Sequence, residues 1–415
     1  MPDLNIPLQA TVRAMDHLFS SQLSAFVRRH WSLPSQPLQG LEALLLGAAT
    51  PARSPSDLAE GLDWGVNRFG PLLAQPSVAA WQGLLRRTMR QQLRRVLHRY
   101  HTGPVSPATR SRYRITLIWD TTTLLKVGQM LGWAAPFYSG MLHRPAHSIE
   151  VVLLYAVVGE DKQCLPMDFA LRKPDPKGPG HPCKTALQQA QTMLVDLDNH
   201  LRIQHQSLRG HYLVADAWFA DSDLLWTAYQ RDLIPIVRGK TSFVFQDLQP
   251  LQTRSYPAAQ LLVKNQGTWR RSRQAPDPYR RLSLYSHTFD FVTLTLFQRP
   301  HEPAPEYVLC LDPDVSSPRI LRAYRRRPWI EACFEVCKAT LNIERFKVRT
   351  QSASIYGFIT LRLMGFALFD YAARRLLKGR WTAGQIIRKL HHHGTVWLRQ
   401  LLDNSPLSQR LTHNP

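Results

Sequence analysis

Residues 113–120 read YRITLIWD and residues 212–216 read YLVAD. Each is a short run of apolar, β-branched and aromatic residues closed by an aspartate, the composition of a buried strand. Outward from these two runs the texture alternates. Residues 149–158 form a third strand-like run, 174–182 a turn-rich loop, 184–205 have helical spacing, 221–231 read as a helix and 233–237 as a strand. Strand, strand, helix, strand, helix, strand is an α/β core. Functional side chains in such sheets gather at the carboxyl ends of strands. Asp120 and Asp216 are therefore expected at the ends of neighbouring strands, close enough to share metal. Taken singly, each aspartate reads equally as a turn residue or helix cap, and Thr121, Thr122 and Thr123 offer the same capping after Asp120.

Upstream, residues 1–105 read as helical. Residues 54–73, SPSDLAEGLDWGVNRFGPLL, hold two short helices around Gly61, as a helix-turn-helix or any small helical hairpin would, with Ser56 as the expected N-cap. Residues 78–100 form a long helix carrying Arg86, Arg87, Arg90, Arg94, Arg95 and Arg99 and no acid. Arg87, Arg90 and Arg94 share a face, and without opposite charges that face calls for a bound anion such as a nucleic-acid backbone. Residues 101–111 are a linker by their Pro, Gly and Ser content. Downstream, 239–311 is mostly strands (TSFVF, LLVKN, TWRRS, RLSLYS, FDFVTLTLF, YVLCL), with basic clusters at 270–273 and at Arg280 and Arg281. From Pro318 to about Leu402 the chain turns helical again, and the apolar stretch 361–371 reads as core.

The 415 residues carry 52 Lys and Arg against 30 Asp and Glu, a formal charge of +22. An excess dominated by arginine suits a regular array of phosphates, because guanidinium pairs bidentately with phosphate and stacks on bases. No long charge-free apolar run and no basic-then-apolar N-terminus occur, so the expectation is a cytoplasmic protein without a membrane span. Five cysteines at 164, 183, 310, 333 and 337 argue against a disulfide framework. Cys333 and Cys337 read as buried small hydrophobes, and His391, His392 and His393 as solvated or phosphate-contacting.

Residues 324–338, YRRRPWIEACFEVCK, hold the third carboxylate. Pro328 suits a first helical turn. Arg327, Glu331 and Lys338 then recur at helical spacing, so one face presents a cation, a carboxylate and a further cation. A metal-bound phosphate asks for that set. The spacing Tyr324-x2-Arg327-x3-Glu331-x6-Lys338 resembles the signature of DDE transposases of the "insertion sequence four" type, found in bacterial mobile elements. The contexts LIWDTT around Asp120 and VADAWFAD around Asp216, and the order Asp, Asp, β-rich insertion, Glu, extend the resemblance over roughly residues 110–375.

The resemblance implies an α/β fold with an RNase H-like core interrupted by a β-rich insertion and flanked by helical N-terminal and C-terminal regions. The segments are a DNA-binding domain at 1–105, core at 106–238, insertion at 239–315, core with the glutamate helix at 316–375 and a helical tail at 376–415. It implies that Asp120, Asp216 and Glu331 hold two Mg²⁺ or Mn²⁺ ions, and that Tyr324, Arg327 and Lys338 contact DNA near the scissile phosphate. Glu335 is the rival carboxylate, read as an exposed residue pairing with Lys338. Trp269 is the one tryptophan of the insertion. The implied activity is cut-and-paste DNA transposition on double-stranded DNA, at terminal inverted repeats and target, by a homodimer assembled on DNA in the nucleoid. An RNase H-fold nuclease and a catalytically inactive DNA-binding copy are the alternatives.

Overall fold

The computed structural model describes residues 2–403 except 53, 103–105, 107–113, 126–133, 140–141, 160–161, 173–183, 241, 248–254, 259, 261–267, 274, 276, 300–301, 303–304 and 345–351. Tyr113, the loop at 174–182, most of the expected linker, Cys183 and the run LLVKN lie outside these residues.

The chain opens with helices α1 (Pro2–His30), α2 (Ser35–Leu46), α3 (Pro55–Gly61), α4 (Phe69–Ala74) and α5 (Val78–Thr102). Strands β1 (Thr116–Leu125), β2 (Ala135–Ser139), β3 (Arg144–Val158) and β4 (Gln163–Arg172) follow, then α6 (Ala186–Ile203), β5 (Tyr212–Ala215), α7 (Ser222–Tyr229) and β6 (Ile234–Arg238). Next come β7 (Val244–Asp247), β8 (Ser255–Pro257), β9 (Tyr279–Ser286), β10 (Asp290–Phe297) and β11 (Glu306–Cys310). The chain closes with α8 (Ser317–Tyr324), α9 (Pro328–Glu335), α10 (Ser352–Tyr371), α11 (Ala383–His391) and α12 (Val396–Asp403).

All eleven strands join one mixed sheet, in the order β2-β3-β1-β5-β6-β11-β10-β9-β7-β8, with β4 also on β3. β1 runs antiparallel to β3 and parallel to β5, and β5 parallel to β6 through the α7 crossover. The β-rich stretch is continuous with this core, since β11 pairs antiparallel with β6. The protein is thus a mixed α/β structure with many helices. The expected elements at 149–158, 184–205, 212–215, 221–231 and 233–237 all appear within a few residues.

Two strands, β2 and β4, were not expected from sequence. β4 contains Pro166, which cannot donate to a ladder and argues against a strand. The strand accommodates it because β4 pairs only with β3, with a register shift between Leu154 and Tyr155 opposite Pro166. The first helix of the 54–73 hairpin starts earlier than expected. Ser54, not Ser56, is the N-cap and accepts from the Asp57 amide at 3.2 Å, because Pro55 suits the first helical position.

The N-terminal helices share one apolar core with the sheet. α5 packs on β4 and α10, and α1, α2 and α4 also meet α10. α10 is long and apolar enough to cross a bilayer, yet 89% of that window is buried inside the protein. Arg362, within it, donates to the Leu44 carbonyl at 2.9 Å and lies over Phe358. Gly357 lets α10 approach α5: a Cβ there would stand 2.6 Å from the buried indole of Trp81.

The structure supplies the acids that α5 lacks. Arg86 Nε donates to Asp168 of β4 at 2.8 Å, and Arg90 Nη2 to Asp196 of α6 at 2.6 Å. The expectation that Arg90 waits for an external anion is therefore corrected: it is buried and ion-paired within the fold. Arg87 is exposed and Arg94 half-buried on the same helix. Arg86→Ala should lower stability by about 3–5 kcal/mol, because it strands the buried Asp168 carboxylate. Denaturant midpoints measure this, and Arg87→Ala should leave the midpoint nearly unchanged.

Candidate active site

Asp120 and Asp216 are brought together by strand register. In the parallel pair β1–β5, Trp119 lies opposite Ala215, so the next residue on each strand is one of the aspartates. One expectation needs correction: β1 does not stop at Asp120. It runs on to Leu125 because β3 continues beside it, pairing Leu153 with Asp120 and Ser148 with Leu125. What ends at this level is β5, and Asp120 sits where the parallel neighbour gives way.

Each aspartate has one oxygen held by the backbone. Asp120 Oδ1 accepts from the Thr121 amide at 2.8 Å. Asp216 Oδ1 accepts from the Trp218 amide at 2.9 Å and the Phe219 amide at 3.4 Å, capping the turn after β5. Buried Phe219, stacked on Trp119, anchors that turn. The two Oδ2 atoms face one cation, the guanidinium of Arg327, whose Nη2 lies 3.5 Å from Asp120 Oδ2 and 3.6 Å from Asp216 Oδ2. Nη1 of the same guanidinium donates to Glu331 Oε1. Pro328 starts α9 as expected, so Arg327 and Glu331 stand one turn apart.

The three carboxylates and Arg327 thus form one cluster. Burial pushes the Asp120 carboxyl up to about 7; Arg327 pulls it down, while Asp216 and Glu331 push it further up. Burial disfavours the Arg327 charge, but Asp120, Glu331 and Asp216 outweigh this and hold its pKa above the ordinary value. The three consecutive arginines divide by contact. Arg325 pairs with Asp277 at 3.1 Å, and Arg326 donates to the Arg114 carbonyl and Thr116 Oγ1. Arg327 alone among the three reaches the carboxylates.

The rest of the signature is not on this face. The α-helix gives way to a π-turn at Val336–Thr340, which shifts the angular register past Glu335. Lys338 Nζ therefore turns away to the Thr123 carbonyl at 2.7 Å, with Glu344 at 3.8 Å, and burial lowers its pKa. The single-face expectation and the expected Glu335–Lys338 pair are both corrected: Glu335 is exposed and Lys338 pairs with Glu344. Tyr324 is buried, its hydroxyl pushed up to about 12 by burial. It lines a cavity of about 400 Å³ with Asp277, Phe297, Arg299 and Arg325, and Arg327 forms part of the wall. Trp269 is partly exposed, with the Arg280 guanidinium 4.8 Å from its ring centre. Cys164, Cys310, Cys333 and Cys337 are free and buried.

Sequence reasoning passed over Trp218. It is 61% exposed two residues after Asp216, on the turn that this carboxylate caps. The only signal for it was its place in VADAWFAD.

The donor set fits a hard divalent cation. Two carboxylate oxygens, fixed in direction by the backbone bonds of their partners, converge on one cationic group, and a third carboxylate joins from α9. Among the described residues, no three His, Cys, Asp or Glu side chains stand close enough to hold a metal as they are. Arg327 lies among these three.

A family model described as "DDE superfamily endonuclease" matches residues 71–284, just over half of the chain. The match takes in Asp120 and Asp216 and ends before α9, so Glu331 lies outside it. No curated protein matches the chain.

Proposed function

The chain belongs to the DDE superfamily endonuclease family, and from that premise we propose that it is a DNA transposase, cutting DNA at the ends of a mobile element and joining those ends to a target. The observation that carries this reading is the convergence of Asp120, Asp216 and Glu331 on one guanidinium. The order Asp, Asp, β-rich segment, Glu supports the "insertion sequence four" type. So does a central β1 flanked by antiparallel β3 and parallel β5, which suits an RNase H-like core with an insertion at 239–315. We propose segment boundaries at 105, 238, 315 and 375, with the N-terminal helices binding DNA through residues such as Arg87 and Arg94.

In the proposed mechanism Asp120, Asp216 and Glu331 hold Mg²⁺ or Mn²⁺. Two such ions, when bound, would activate the attacking water or 3′-hydroxyl and stabilise the leaving 3′-oxygen. The chain's own part is positioning and charge. The backbone amides of Thr121, Trp218 and Phe219 fix the two aspartates. Arg327 neutralises phosphate charge, and the cavity beside Tyr324, where Arg299, Arg325 and Arg327 share the wall with Asp277 and Glu302, receives the strand near the cut. The working form is a homodimer on DNA in the bacterial cytoplasm.

The test is incubation of the purified chain with Mg²⁺ or Mn²⁺ and a DNA fragment carrying the ends that flank its gene, beside a scrambled-end fragment. Nicking confined to the element end is expected. Binding without cleavage in either metal would favour an inactive DNA-binding copy, and cleavage indifferent to the end sequence would favour a general nuclease.

A further inference from the structure

Arg327 is tied to all three candidate ligands at once. Nη2 lies 3.5 Å from Asp120 and 3.6 Å from Asp216, and Nη1 donates to Glu331. The partners are not equally fixed. Asp120 and Asp216 are pinned by backbone amides, whereas the Glu331 side chain is 51% exposed. A guanidinium and a divalent cation cannot use the same oxygens at the same time, since like charges a few ångströms apart repel strongly in a partly buried site. A guanidinium is served as well by a phosphate as by a carboxylate, through the same bidentate fork.

We infer that Arg327 is the internal counter-ion of this site and couples metal binding to DNA binding by changing partners. On DNA the guanidinium leaves the carboxylates for a backbone phosphate. The three carboxylates, no longer neutralised, then take up the divalent cation. In the free chain Arg327 competes with the metal, so the cutting centre assembles on its substrate and stays poorly loaded elsewhere. Coupling of this kind is reciprocal: DNA raises metal affinity by the factor by which metal raises DNA affinity. The inference rests on the proposed function, because it takes the three carboxylates as metal ligands.

The experiment is Mn²⁺ binding to the full chain, followed by calorimetry and by the electron paramagnetic resonance of free Mn²⁺. Wild type and Arg327→Gln are compared, with and without a pre-nicked duplex carrying the element end. Without DNA, Arg327→Gln should bind Mn²⁺ at least about tenfold more tightly than wild type, within the usual range of couplings between sites. Addition of the duplex should tighten Mn²⁺ binding to wild type by a similar factor, and to Arg327→Gln by less than about threefold. A loss of folding alone would not raise metal affinity, so the rise marks the counter-ion role. If the variant does not fold, Arg327→Ala takes its place, because a rise in wild type alone also follows from phosphate oxygens of the duplex joining the metal. Equal Mn²⁺ affinity in wild type with and without DNA overturns the coupling and leaves the site reading standing. No Mn²⁺ binding to wild type even on DNA overturns both.

Discussion

Asp120→Ala and Glu331→Ala are each expected to reduce single-turnover cleavage of an element end by more than about 10³-fold, beyond the 10–100-fold typical of partners that only support a metal ligand. DNA binding should persist. In a chelating buffer each change removes a negative charge from a surface that faces phosphates, so the electrostatic part of metal-free binding cannot weaken through it. Gel-shift titrations run beside the cleavage assay separate the two effects. The glutamate variant is the more informative, because Glu331 lies outside the family match and rests on the spacing of residues 324–338 and on its contact with Arg327. Cleavage retained in Glu331→Ala would remove it from the centre and move attention to Glu335, one turn further on.

Asp120→Asn is expected to make the protein more stable at pH 8 while abolishing cleavage. Burial holds the Asp120 carboxyl at about 7, against an ordinary 3.8. Between those values the folded state keeps a proton that the unfolded state releases. Stability from this group is therefore full below about pH 4 and is lost as pH rises through 7. The shift corresponds to about 4 kcal/mol at pH 8. Asparagine keeps an acceptor for the Thr121 amide and removes the charge, while Arg327 retains Asp216 and Glu331. A gain of about 1–3 kcal/mol at pH 8, shrinking towards zero by pH 5, is the expected result. Thermal melts in a chelator at the two pH values measure it. A variant less stable than wild type at pH 8 would mean that the Arg327–Asp120 contact outweighs the burial cost. A stability gained by neutralising a buried acid is the usual trade at a functional site.

Much of this arrangement was legible in the sequence because the two aspartates close short apolar runs. β5 ends where YLVA meets Asp216, and β3, α6, β5, α7 and β6 follow in that order directly from composition, while β4 does not. Local pattern cannot report pairing. β1 runs past Asp120 because β3 lies beside it, and β4 carries a proline that only a one-sided strand tolerates. The charge on α5 misled for the same reason: the acids answering Arg86 and Arg90 come from β4 and α6, some 80 and 106 residues away in the chain. The helix period placed Arg327 and Glu331 together correctly. It failed at Lys338 because a π-turn intervenes, and no residue type marks a π-turn. Fixed spacing in YRRRPWIEACFEVCK pointed to Arg327 among three consecutive arginines, and the geometry gives a physical ground for it: Arg325 and Arg326 are occupied by Asp277, Arg114 and Thr116.

Asp216→Cys asks whether these carboxylates are ligands to the metal that cuts DNA. A thiolate is a soft ligand that serves Mg²⁺ poorly and a softer divalent ion better. End cleavage should be lost in Mg²⁺ and recovered in part in Mn²⁺, with DNA binding in a chelator unchanged. Cleavage in Mg²⁺ at the wild-type rate would contradict that role, because Asp216 would then not touch the metal.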